Sequence, residues 1–150
     1  MFHEIVDEAA TGRSNDSDEA IEAATLLASF ETLLMETVEA AGRDRVVSET
    51  AIDATAVERI SEGDARTLTL EDAAALLAVE SDREAEPMVA ELRDHLLMGM
   101  ATAVLDVDTI AASIDADLTG QEVQQTLEGR AAMTLEQLAE VMAVIETRKR

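Results

Sequence analysis

The residues with chemistry to offer are carboxylates, two histidines and a small set of amide and guanidinium groups. His95 follows Glu91 by one helical turn and adjoins Asp94, which places an imidazole beside carboxylates on a helix, the start of a divalent-metal site. A complete site needs further ligands. His3, the other histidine, lies in a segment that reads as extended, so His95 is expected at the packing boundary of a helix and no metal is assigned. Carboxylate pairs such as Glu71 with Asp72 are the background of a chain with 33 acidic residues, and adjacency alone does not single out a general acid and base. No phosphate loop, dinucleotide fingerprint or nucleophile motif accompanies them. Neither catalysis nor a cofactor is expected.

The neutral and cationic donors are more informative. Thr55, Arg59 and Arg66 in the first half, and Thr119, Gln121, Gln124, Gln125 and Arg130 in the second, sit on or beside two short helical stretches. The Gln amide pairs a donor with an acceptor and so matches the adenine edge, while Arg reaches guanine or phosphate. On a helix that enters a groove these side chains would contact double-stranded DNA; on a helix docked elsewhere they are ordinary surface.

Composition narrows the choice. The 150 residues carry 33 acidic and 11 basic side chains, a formal net charge of −22, and an apolar share of 47% that is ample for a core. Two Phe without Trp or Tyr leave no stacking platform for single-stranded nucleic acid, and the absence of Cys excludes disulfides and thiolate metal sites. No apolar run approaches the roughly 20 residues that span a bilayer, and Met1-Phe2-His3-Glu4-Ile5 lacks a basic stretch followed by an apolar one, so a cytoplasmic protein without a membrane partner is expected. The charge repels itself in dilute buffer. In molar salt the Debye length falls to about 3 Å, and carboxylates spread along the chain, with K+ or Na+ as bulk counterions, then keep a folded surface hydrated. This composition resembles that of proteins from salt-in halophilic archaea.

Helical spacing of Ala, Leu, Glu and Met dominates, and strand alternation is scarce, so an all-α fold is predicted. Asp16 and Glu19 form a capping box after an extended segment over 1–16. A long helix then runs from about Ser17 to Ala41, with the stripe Ala20, Ala24, Leu27, Phe30, Leu34, Val38 and Ala41, and stops at Gly42. Shorter helices follow at Asp44 to Ala51, at Ala54 to Glu62, and from a cap at Thr69. A second long helix is predicted from Pro87, in its first turn, to Leu105. Short helices recur at Asp108 to Ile114, from Thr119 to Glu128, and from Thr134 to about Arg148. The methionines among these apolar positions read as core filler.

The order of elements thus repeats. Leu33-Leu34-Met35 matches Leu96-Leu97-Met98, Ile52-Asp53-Ala54 matches Ile114-Asp115-Ala116, Glu62-Gly63 matches Glu128-Gly129, and Thr69-Leu70-Glu71 matches Thr134-Leu135-Glu136. Two tandem related units are expected, at 17–80 and 81–150, each a long helix plus three short ones. They are expected to pack through the long helices, with Leu27, Phe30, Leu34 and Val38 against Leu92, Leu96, Met100 and Val104.

Within each unit the second short helix ends in an apolar-x-x-apolar-x-x-Gly pattern before a capped packing helix. Val57-Glu58-Arg59-Ile60-Ser61-Glu62-Gly63 fits throughout, whereas Val123-Gln124-Gln125-Thr126-Leu127-Glu128-Gly129 puts Thr126 at an apolar position. The pattern resembles the helix-turn-helix of the Cro/lambda-repressor class, and that resemblance implies a DNA-binding transcriptional regulator. The alternative is a degenerate helix-turn-helix scaffold that binds another protein or itself; a small-molecule sensor would require an enclosed apolar pocket. Over residues 40–148 the chain also resembles an uncharacterised family of small haloarchaeal proteins, through Asp94-His95-Leu96-Leu97-Met98-Gly99-Met100, Val104-Leu105-Asp106-Val107-Asp108-Thr109 and Glu128-Gly129-Arg130-Ala131-Ala132-Met133-Thr134-Leu135. That likeness carries no functional residue.

The charge makes one direct prediction. Helical circular dichroism should be full in about 2 M KCl and fall as the salt is dialysed to about 0.05 M, because screening is withdrawn. A helical signal unchanged across that range would refute adaptation to high salt.

Overall fold

The computed structural model describes residues 22–115 and 117–149. Among the described residues it is all-helical: α1 (Ala23–Ala41), α2 (Arg43–Glu49), α3 (Ala54–Ser61), α4 (Leu70–Val79), α5 (Ala85–Ala103), α6 (Val107–Ser113), α7 (Gly120–Leu127) and α8 (Leu135–Arg148). The predicted capping box at Asp16 and Glu19, the stripe residue Ala20 and the segment 1–16 lie outside the described residues.

Local chemistry fixes the boundaries. Asp53, Thr69, Asp106, Thr119 and Thr134 each cap the helix that follows, accepting a backbone N–H from the third helical residue. Thr119 with Glu122 and Thr134 with Gln137 complete reciprocal capping boxes. At the other ends, Gly42, Gly63 and Gly129 have φ of 89°, 90° and 81°, which glycine adopts without a Cβ penalty. Pro87 is the third residue of α5, where a missing N–H breaks no helical bond.

One apolar cluster joins all eight helices. Its arrangement corrects the expected one. The two long helices are not the main contact between halves: α1 packs on α8, and α5 packs on α4 and α8, so each long helix rests on the last helix of the other half. The buried stripe of α1 is Leu26, Phe30, Leu34 and Val38, a strict spacing of four that replaces Leu27 by Leu26 and leaves Ala24 exposed. On α5 the buried residues are Met88, Val89, Leu92, Leu96 and Gly99, with Met100 half-buried. Burial therefore sets Leu34 against Leu96 in an alignment of the halves, one residue away from the match drawn from Leu-Leu-Met. Leu97 is 45% exposed, Met98 70% and Val104 88%, so neither Met98 nor Val104 is core. Met88, Met133 and Met142 are buried, as filler should be.

The halves also meet at one antiparallel bridge between Thr69 and Thr134. Leu70 N donates to Met133 O (2.8 Å) and Leu135 N donates to Leu68 O (2.9 Å), a pair of bonds that exchanges into itself when the halves are swapped. It ties together the two loops that precede α4 and α8.

Val104 ends α5 in the left-handed conformation, with φ 55°, and α5 and α6 diverge there by 94°. A β-branched residue is strained at such a φ. Near the middle of the core, a Cβ added at Gly99 would come within 2.7 Å of Ile145 Cγ2, so α5 and α8 approach through a glycine. Two substitutions of opposite sign should follow from these facts. Gly99→Ala should destabilise by about 1–3 kcal/mol through overpacking, and Val104→Gly should stabilise by roughly 1 kcal/mol through relief of backbone strain. Chemical denaturation in high salt reads both; equal effects of one sign would contradict the described α5 geometry.

Candidate nucleic-acid interface

The first candidate helix pair is α2 and α3, joined by the four residues Thr50 to Asp53. Val46, Ile52, Val57 and Ile60 are its buried anchors, all 3% exposed or less. Thr50 closes the turn: its hydroxyl donates to Val46 O (2.6 Å) and accepts from Ile52 N (3.1 Å). Asp53 Oδ1 accepts Ala56 N (2.8 Å) and starts α3. With Val57 and Ile60 on the buried face, Thr55, Glu58 and Arg59 are left exposed.

The second pair, α6 and α7, repeats this pattern with Ile110, Val123 and Leu127 as buried anchors, but its connection runs six residues from Ile114 to Thr119. That is longer than the three- or four-residue turn of the motif. Thr126, the departure from the apolar pattern, is 4% exposed, and its hydroxyl donates to Val123 O (2.7 Å), so burial leaves no unmet donor. Gln121 and Gln124 project into solvent and Gln125 is half-buried. Both second helices stop alike: Asp64 N donates to Arg59 O and Arg130 N to Gln125 O, each at 2.9 Å, around Gly63 and Gly129.

The expected donors divide by position. Thr55 and Arg59 lie on α3, and Gln121, Gln124 and Gln125 on α7. Thr119 is the cap of α7, its oxygen accepting Glu122 N at 3.2 Å, so it positions the helix. Arg66 and Arg130 lie in the loops beyond α3 and α7. Arg66 Nε is 3.4 Å from Asp64 Oδ1, and Arg130 Nη2 is 2.5 Å from Glu128 Oε2. Glu128 also accepts Gln124 Nε2 at 2.8 Å, one helical turn away. That hydrogen bond, with the Arg130 guanidinium, holds the Glu128 carboxyl below its ordinary range.

Two residues that position the helices were not singled out from sequence. Arg93 on α5 is largely buried; its Nη2 donates to Glu71 Oε1 (2.8 Å) on α4, and its Nε to Thr126 O (3.5 Å) at the end of α7. Glu31 on α1 accepts Ala65 N (2.8 Å) in the loop beyond α3. The signal available was a charged residue one turn from Leu27 or Val89 on an otherwise apolar side. His95 is half-buried between α5 and α8, with Nε2 3.6 Å from Glu146 Oε1, and Glu91 pairs with Arg83. The described residues contain no group of three metal-ligating side chains.

A family model, DUF5791, matches residues 26–148. The chain belongs to this family of unknown function. The match spans both short-helix pairs, the bridge and nearly all of the two long helices. No curated protein and no solved structure matches the chain. Among the described residues no single helix is long and apolar enough to cross a membrane.

The Glu128 arrangement is directly testable. Its lowered folded-state pKa means that it contributes stability above the unfolded carboxyl pKa, lost as pH falls through the lower folded value. Gln124→Ala should move the Glu128 titration upward, toward the ordinary carboxylate range, as read by carboxyl-carbon NMR. An unchanged titration would show that Gln124 is not held as described.

Proposed function

We propose that the chain is a non-enzymatic, double-stranded DNA-binding transcriptional regulator that works in high salt and presents one helix-turn-helix from each of two related units, 17–80 and 81–150. The observation that carries this reading is the two-sided character of α7. Val123, Thr126 and Leu127 anchor it, and the opposite side offers Gln121 and Gln124 to solvent without a covering element. A short, rigidly docked helix with a free polar face is the form in which side chains reach base edges. The same division holds on α3, where Val57 and Ile60 are anchors and Thr55 and Arg59 are exposed.

The acidic neighbours Glu58, Glu62, Glu122 and Glu128 oppose phosphate, and molar salt screens that repulsion. The same salt removes the gain from counterion release, so recognition rests on hydrogen bonds and fit. Few cations are then needed. The terminal Arg148 and Lys149 lie at the end of α8, away from α7 in the chain order, and complement the carbonyl end of that helix.

A second reading has its own observation. Leu97, Met98 and Val104 form exposed apolar surface along α5, which suits a scaffold that binds a protein or a second copy. Chromatin immunoprecipitation with sequencing from the native host, in its own salt, separates the two. The regulator should give discrete peaks that disappear in the Gln124→Ala, Gln125→Ala double variant while helicity is unchanged. Recovery no better than an untagged control would leave the scaffold reading in place.

A further inference from the structure

We infer that the two second helices read unlike half-sites, one G·C-rich under α3 and one A·T-rich under α7, on a single asymmetric duplex site. This rests on the DNA-binding reading above and specifies its ligand. The backbone of the two readers corresponds position by position. Caps Asp53 and Thr119, anchors Val57 and Val123, core residues Ile60 and Thr126, and stops Gly63 and Gly129 each fall 66 residues apart, the last at φ 90° and 81°, so the cap that corresponds to Asp53 is Thr119 and not Asp115, the match drawn from sequence. The same offset pairs Thr55 with Gln121, Glu58 with Gln124, and Arg59 with Gln125. No pair is alike.

The chemistry of the pairs differs in a definite direction. Arg59 and Glu58 are exposed neighbours, and guanidinium to guanine O6 and N7 with carboxylate to cytosine N4 reads the two sides of a G·C pair. On α7 only amides stand at these positions, and an amide paired to adenine N6 and N7 reads A·T. Glu128 takes one N–H of Gln124 at 2.8 Å, which leaves its second N–H and its carbonyl oxygen for a bidentate adenine contact and fixes the plane of the amide. On α3, the residue that corresponds to Gln124 is itself the carboxylate Glu58, so α3 has no equivalent clamp.

The chain between the readers is long enough for both to lie on one duplex. The antiparallel bridge joins Thr69 to Thr134, and the six-residue step from Gly63 to Thr69 with the five-residue step from Gly129 to Thr134 limits the two helix ends to at most about 45 Å apart. Half-sites one turn apart on a duplex are separated by roughly 34 Å, within that limit.

Selection from randomised duplex DNA by the full chain in about 2 M KCl tests the inference. The expected product is one motif with a G·C-rich and an A·T-rich element whose centres lie about 10 base pairs apart. Arg59→Ala should relax only the first element and weaken binding about ten-fold, and Gln124→Ala with Gln125→Ala should relax only the second. A palindromic motif, a single half-site, or relaxation of both elements by either variant would overturn the unlike half-sites while leaving DNA binding intact. Enrichment of no sequence over the input would overturn the DNA reading itself, and this inference with it.

Discussion

The structure depends on the crossed packing of its long helices. Leu26, Phe30, Leu34 and Val38 on α1 are buried, α1 packs on α8 as well as on α3 and α4, and α5 packs on α4 and α8. Neither half closes its own apolar surface. The short-helix pairs are therefore held by a core shared between the halves, and the bridge at Thr69 and Thr134 joins the loops that follow their second helices. Burial of apolar area is the dominant favourable contribution in such a core, and it acts against both chain entropy and the mutual repulsion of the surface carboxylates.

Charge shapes the surface without specifying it. Among the described residues several guanidinium groups are engaged with carboxylates: Arg45 contacts Glu49 on its own helix and Glu80 beyond α4, Arg66 faces Asp64, and Arg130 faces Glu128. Exposed pairs of this kind contribute little stability individually. Their effect is on availability, since a guanidinium already facing a carboxylate exchanges one partner for another when it meets phosphate. On α7 the corresponding engagement is the Gln124 to Glu128 bond at 2.8 Å, an amide meeting a carboxylate one turn away.

The helices and their ends were legible in the sequence because local rules decide them. Thr69, Thr119 and Thr134 act as the caps their spacing implies, and Gly42, Gly63 and Gly129 take the left-handed stops. Partner choice was not legible. A stripe on α1 can serve any apolar neighbour, and nothing local distinguishes α5 from α8 as that neighbour. The one-residue slip between Leu27 and Leu26 has the same origin: adjacent leucines fit a helical stripe equally well until packing selects one. On the interface, exposure of Gln121 and Gln124 follows from the anchors Val123 and Leu127, whereas the Glu128 clamp and the Arg93 tie depend on rotamers and on a second element, which spacing does not encode.

The crossed connection has a consequence for biosynthesis. α1 leaves the ribosome long before α8 is translated, and at roughly 5 to 20 residues per second the apolar side of α1 waits on the order of 5 to 20 s for its partner. During that interval a neighbouring nascent chain on the same message offers an identical α8. Exchange of these helices between chains would yield an entwined species built from native contacts, so the order of translation bears on pairing alongside the stability of the finished fold.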